Sequence, residues 1–354
     1  MGYISLLIQN HKPHVKNAIT KLMSSHSAES NSSNSDRVVG FFVDMFCTSM
    51  IEFIDLGTEL SIPGFVNSVP PPVLPTAVLN RREMHTRGIY PTREGTPKQR
   101  FRELERHALD SLNTSQVPQV YPIGPVLDLY EPTQKRDLNQ YESVIRWLDD
   151  QPSSSVMLLC FGSMGSLSGP QVREIAYGLE RAGVRFIWAL REPPKSQLDL
   201  PSDHANVEDV LPNGFLERTC ELGMVCGWIP QAQILAHQSI GGFTSHCGWN
   251  SIFESLWYGV PIATWPIYAE QQMNAFEMVK ELRLAIEIRL DYREGSDLVM
   301  GEEVDISIKR LMNGGDVVRG RVKEMREKSR IALMENGSSY QALGVLIRNL
   351  VPKI

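Results

Sequence analysis

His246, Asn250, Ser251 and Glu254 fall within nine residues of one another, directly after the apolar run Ile240–Ser245. The run reads as a buried strand that ends at His246, and a helix begins within residues 247–251. Gly248 in the crossing lets a ligand come close to the backbone. The helix start offers N–H groups and a partial positive charge of ~0.5, which suits an anion such as a diphosphate. His246, Asn250 and Ser251 add side-chain donors at the same place. Glu254 lies three residues beyond Ser251 and four beyond Asn250, so it shares their face ~4.5–6 Å further along the helix. A carboxylate there can accept two hydrogen bonds from a ribose diol. The run 261–265 reads as another strand, leading to Tyr268, Glu270 and Gln271 at the carboxyl edge of a sheet, where open α/β sheets bind ligands. Each residue alone has a plain structural reading: Trp228 as core filling, His246 as a satisfied histidine, Glu254 as a solvated face, Glu270 as a helix cap and Gln271 as surface. In this order they read as one site.

The elements that must position them follow the rhythm of a parallel α/β sheet from residue 154 onward. Strands are predicted at 156–160, 185–190, 224–228, 240–245, 261–265 and 285–290. Pro170 suits a first helical position ahead of Val172, Ile175, Ala176 and Leu179 at helical spacing. Residues 302–350 read as mostly helical, broken at Asn313-Gly314-Gly315. The first half is patchier. Residues 3–23 read as a helix, 24–36 as a polar loop, and 38–43 as a buried strand ending at Asp44. Residues 62–79 are loop-like, with Pro63, Pro70, Pro71, Pro72 and Pro75. Nothing strand-like appears from 79 to 101. Residues 101–112 read as helix, 120–123 as an extended piece and 128–139 as a charged linker.

Composition narrows the partners. The 354 residues suffice for two domains, and a net charge of -6 disfavours a nucleic-acid surface. No apolar run is long enough to span a membrane. The start carries no basic region followed by an apolar stretch, so a cytoplasmic protein is expected. Cys47, Cys160, Cys220, Cys226 and Cys247 form no C-x-x-C pair and read as buried free thiols.

The stretch from Trp228 to Gln271 resembles the signature box of plant UDP-glycosyltransferases, with Trp228, Gln231, the run His246–Ser251, Glu254 and the closing Glu270-Gln271 in register. That resemblance implies an α/β fold of GT-B type, with two Rossmann-like domains facing a cleft. Residues 1–136 would form an incomplete acceptor-binding domain with its linker. Residues 137–354 would form the UDP-sugar domain, with a terminal helix near 340–350 crossing back toward the first. It implies that Trp228 stacks on uracil, with the Ile229 backbone and Gln231 beside the base and ribose. Glu254 would hold the ribose hydroxyls, and His246, Asn250 and Ser251 the diphosphate. Trp249 would lie near the sugar, and Glu270 and Gln271 would bind sugar hydroxyls beside Tyr268. A closing Gln favours glucose in this family. The turn at 161–166 matches the family's serine loop, which would face Ser163 toward the phosphates. No metal and no cofactor are expected, with UDP-glucose as co-substrate, a small phenolic acceptor such as a flavonoid, and a monomeric chain.

The resemblance also implies a general-base histidine near the start of the first domain, oriented by an aspartate. Residues 40–47 match the strand that carries the aspartate, making Asp44 the helper. The histidine itself has no counterpart here, since His11 and His14 match non-catalytic positions. Strands expected after residue 50 and before Phe101 are also missing. Two readings remain open: inverting transfer of glucose to a phenolic hydroxyl, and a UDP-sugar-binding remnant without its base. A nicotinamide-dependent dehydrogenase shares the rhythm, but residues 161–166 give only Gly-x-x-Gly where Gly-x-Gly-x-x-Gly is needed.

Overall fold

The computed structural model describes Asn17 and residues 41–44, 64–67, 96–98, 101–106, 109–110, 120–127, 138–196, 199–268, 270–290, 298–314 and 316–350. For 41–44, 64–67, 96–98, 138, 139, 316 and 350 it describes the backbone alone. Contacts divide the chain into two compact units. One comprises Met1–Val126 with Ile331–Ile354, the other Leu127–Arg330. The expected boundary at 136/137 falls in a segment outside the described residues.

In the first unit, β1 (Phe41–Asp44) pairs in parallel with β2 (Gly64–Asn67), setting Asp44 opposite Asn67. β3 (Thr96–Lys98) pairs in parallel with β4 (Val120–Pro122). Three expectations are corrected here. Residues 64–67 form a strand inside a stretch read as loop, and 96–98 form one where none was expected. Residues 102–105 are turn and bend rather than helix, with helix at Arg106, Leu109 and Asp110. The expected helix at 3–23 lies outside the described residues apart from Asn17, which is helical.

The second unit is built on six parallel strands. In chain order they are β5 (Val156–Cys160), β6 (Arg185–Ala189), β9 (Gly223–Cys226), β10 (Ile240–Ser245), β11 (Ile262–Thr264) and β12 (Ala285–Glu287). A two-stranded ribbon, β7 (Arg191–Glu192) and β8 (Ser202–Asp203), intervenes after β6. Helices covering the sheet explain why β5 and β10 are buried at every residue and show no polar alternation.

The helices are α1 (Leu138–Asp149), α2 (Gly169–Ala182), α3 (Phe215–Thr219), α4 (Gln231–Leu235), α5 (Trp249–Tyr258), α6 (Gln271–Phe276), α7 (Gly301–Gly314), α8 (Asp316–Leu333) and α9 (Ser338–Leu350). α2 starts after an extended Ser168, with Pro170 in its first turn, and stops at Gly183, whose φ of 62° closes the last turn. Its apolar face, Val172, Ile175, Ala176 and Leu179, joins Val304, Ile308 and Leu311 of α7 in one core with Phe186 and Trp188. Burying each such side chain stabilises the fold by roughly 1.5–3 kcal/mol.

The sheet order is β12-β11-β10-β5-β6-β9. The chain starts in the middle at β5, winds outward through β6 to β9, then returns to β10 beside β5 and winds the other way. Connections therefore leave β5 and β10 in opposite directions, and a crevice opens where their carboxyl ends meet.

α9 packs within the first unit. Its Leu346 is buried against Tyr121 of β4, and Asn349 Nδ2 donates to the Tyr121 hydroxyl at 2.6 Å. Ser338 Oγ donates to Glu103 Oε2 at 3.0 Å. Among the described residues no helix is long and apolar enough to cross a membrane.

Cys160, Cys226 and Cys247 are buried free thiols. Desolvation pushes Cys160 up to about 11 and Cys247 to about 12, and raises Cys226 as well, so all three stay protonated at neutral pH. Cys220 departs from the expectation, because it is exposed. Cys47 lies outside the described residues.

Candidate nucleotide-sugar site

Two turns close the crevice between β5 and β10. The first follows Phe161, where Gly162 takes a φ of +75° and Ser163 stands exposed. The second runs from His246 through Cys247 to the start of α5. The His246 ring joins them. A Cβ added to Gly162 would lie 2.7 Å from His246 Cε1, and one added to Gly248 would lie 2.6 Å from His246 Nε2. The ring is thus held between two backbones that only glycines allow so close.

Burial sets the charge of that ring. Its Nδ1 is fully enclosed with no hydrogen-bond partner, and desolvation pushes the imidazole down to about 4 from the usual 6.5. His246 is therefore a neutral donor or acceptor at physiological pH. Between about 4 and 6.5 the unfolded chain takes up a proton that the folded chain refuses. Stability is thus expected to rise with pH across that window and to level off above it. Urea midpoints measured from pH 4.5 to 7.5 check this. An identical slope in His246→Gln would show that another group is responsible.

The turn around the ring is fixed by its own polar atoms. Cys247 sits at a φ of 64°, a left-handed conformation that costs a side-chain-bearing residue of order 1–3 kcal/mol. Its N–H donates to Ser245 Oγ at 3.1 Å, and its carbonyl accepts from Asn274 Nδ2 at 2.9 Å. Asn274 is fully buried in α6 and belongs to no motif read from the sequence. Asn274→Ala leaves the Cys247 carbonyl buried without a donor. It is expected to cost about 1–3 kcal/mol in a denaturant titration.

α5 begins at Trp249 behind an extended Gly248 (φ -66°, ψ 143°), which has no side chain to cap the helix. The first-turn amides and their positive end therefore open on the crevice beside His246. Asn250 is exposed there and Ser251 is buried. Gln231 of α4 donates through Nε2 to Ser251 Oγ at 2.8 Å and to Glu254 Oε2 at 2.6 Å. Gln231, expected beside the base and ribose, thus also steadies the carboxylate expected to hold the ribose. Glu254 lies close enough to the end of β5 for its charge to help raise the Cys160 thiol.

The other expected residues sit on either side of this centre. Trp228 is half-buried in the loop after β9, its N–H donating to Asp203 Oδ1 at 2.8 Å and its carbonyl accepting from Gln140 Nε2 at 2.7 Å. Ile229, expected beside the base, is buried. Trp249 is 4% exposed, its ring 5.3 Å from that of Phe253, and it presents little surface to a sugar.

After β11, Tyr268 is exposed and its phenol is raised chiefly by desolvation. Glu270 precedes α6 in helical conformation and forms no side-chain cap. Gln271 is buried, and its Oε1 accepts from the amides of Ile267 at 2.9 Å and Tyr268 at 3.0 Å. That oxygen shapes the loop, and the side chain also hydrogen-bonds the Tyr268 phenol, so Gln271 is engaged within its own loop. Asp44 closes β1 in the first unit, and its side chain lies outside what the structure describes. No cluster of three His, Cys, Asp or Glu able to hold a metal ion occurs among the described residues.

This geometry has relatives. The family described as "UDP-glucoronosyl and UDP-glucosyl transferase" matches residues 140–301. The chain is 52% identical to UDP-glycosyltransferase 43 of Pueraria montana var. lobata, over 99% of this chain and 82% of that protein. It is 44% identical to UDP-glucose flavonoid 3-O-glucosyltransferase 6 of Fragaria ananassa, over 95% and 79%. A transferase from Siraitia grosvenorii solved in complex with UDP superposes with a TM-score of 0.78 at 38% identity, over 98% of this chain and 83% of that one. The first alignment runs over 389 positions against the 354 residues here, so at least 35 of its positions are carried by the relative alone.

Proposed function

Since the chain belongs to the plant UDP-glycosyltransferase family, with an α/β fold of GT-B type, we propose that it transfers glucose from UDP-glucose to a hydroxyl of a small phenolic acceptor, with inversion. The acceptor hydroxyl attacks the anomeric carbon from the face opposite UDP. The bond from that carbon to the diphosphate oxygen breaks, and UDP leaves with the electron pair. The His246 ring held between Gly162 and Gly248 at the crevice of β5 and β10 supports this reading most directly. It sets a neutral donor beside an uncapped helix start, where charge develops on the leaving diphosphate. That arrangement would serve the leaving group without a metal. Glucose and a flavonoid are favoured by the name of the 44% identical relative.

A second reading, a donor-binding chain without turnover, is favoured by the alignment positions that this chain lacks. The two readings share the donor site and differ in the acceptor's proton, which needs a base oriented by Asp44. Calorimetric titration with UDP and UDP-glucose, paired with a product assay on a flavonol, separates them. Binding with a β-glucoside product supports transfer, and binding without product supports the second reading. A folded chain that binds neither nucleotide would sink the donor site itself.

A further inference from the structure

We propose that Gln140 and Asp203 are positioning residues for uridine recognition, clamping the backbone of Trp228 so that the loop carrying its indole is set before a uracil arrives; this rests on the donor site proposed above. The two come from separate elements, α1 and the β7–β8 ribbon. Both polar atoms of the Gln140 amide reach the backbone around Trp228: Nε2 donates to Trp228 O at 2.7 Å and Oε1 accepts from Gly227 N–H at 3.3 Å. Asp203 Oδ1 accepts the Trp228 N–H at 2.8 Å from the other side.

Arg191 braces the aspartate. Its Nε lies 3.0 Å from the same Asp203 oxygen, and its guanidinium also donates to the carbonyls of Pro201 and Ser202, fixing the strand that carries Asp203. Gly227 makes room for this contact, because a Cβ there would lie 2.3 Å from Asp203 Cγ. Three backbone polar groups of the loop, the Gly227 N–H and the Trp228 N–H and carbonyl, are therefore held by side chains. Stacking has a preferred geometry, so a base gains from a ring carried on a fixed backbone. A loop free to move would have to be ordered at each binding event, and the clamp does that ordering in advance. Neither residue need touch the nucleotide.

The test compares UDP with ADP on the full chain by calorimetry and competition, since both present a diphosphate to His246 and only one presents uracil to Trp228. Gln140→Ala and Asp203→Ala are expected to weaken UDP about tenfold and ADP less than twofold, as lost base stacking predicts. Asp203→Asn still offers an oxygen to the Trp228 N–H and should recover most of the loss. Gln140→Glu keeps the acceptor for Gly227, loses the donor to Trp228, and should fall between. UDP and ADP weakening together, or UDP binding unchanged, would overturn the clamp and leave the donor site standing. Failure of the unaltered chain to bind UDP would overturn both.

Discussion

Gly248→Ala is expected to weaken UDP binding roughly a hundredfold or more while leaving the fold intact. The backbone at Gly248 is extended, with a φ of -66°, so alanine is tolerated there without strain. The new Cβ would nevertheless stand 2.6 Å from His246 Nε2, and the ring must move. On the β5 side the Gly162 backbone is close as well, since a Cβ there would lie 2.7 Å from His246 Cε1. On the proposed donor site, displacing the ring would remove one hydrogen bond to the diphosphate, and disturbing the start of α5 would remove a second. Hydrogen bonds to charged groups contribute about 1.5–3 kcal/mol each, so two of them exceed two orders of magnitude in affinity. Calorimetry gives the affinity, and a thermal melt confirms that the variant is folded. A folded variant that binds UDP within threefold of the unaltered chain would refute the role of the ring.

Glu254→Ala is the second large effect. The carboxylate is held by Gln231 Nε2 at 2.6 Å, on the same helical face as Ser251. A ribose diol donates two hydrogen bonds to such a group, and their loss is expected to weaken UDP by roughly a hundredfold. Inorganic pyrophosphate, which has no ribose, should bind the variant as it binds the unaltered chain. Glu254→Gln, which keeps the shape without the charge, should lie between. Equal losses for UDP and pyrophosphate would move Glu254 out of the ribose site and into the support of α5.

Much of the second unit was legible because its strands are buried on both faces, and so appear as unbroken apolar runs ended by turns. Ile240–Ser245, the His246 turn and the helix behind it needed no information from far along the chain. The first unit gave no such purchase. β2 is four residues between Pro63 and Pro70, too short to show a period, and its flanks spoke for a loop. β3, Thr-Pro-Lys, has neither the β-branched run nor the alternation of a strand, and its order comes from pairing with β4. The support around the site was hidden for another reason. Gln140 meets Trp228 from 88 residues away and Asp203 from 25, so no local spacing announces either. Gln271 shows the converse. Its position after β11 was readable, yet only the geometry shows that its oxygen serves its own loop.

The sheet order has a consequence for how such a protein can change. Trp228 follows β9 at one edge, and Tyr268, Glu270 and Gln271 follow β11, four strand steps and about 19 Å away. The His246 and Ser163 turns lie between them. A nucleotide sugar laid along this edge would have its base judged by one half of the winding and its sugar by the other. The two halves follow one another in the chain, with nothing interleaved. A recombination or a run of substitutions after β11 could therefore exchange one sugar preference for another without relearning uridine. On the proposed donor site, donor sugar and donor base would be separable traits, carried on adjoining lengths of sequence.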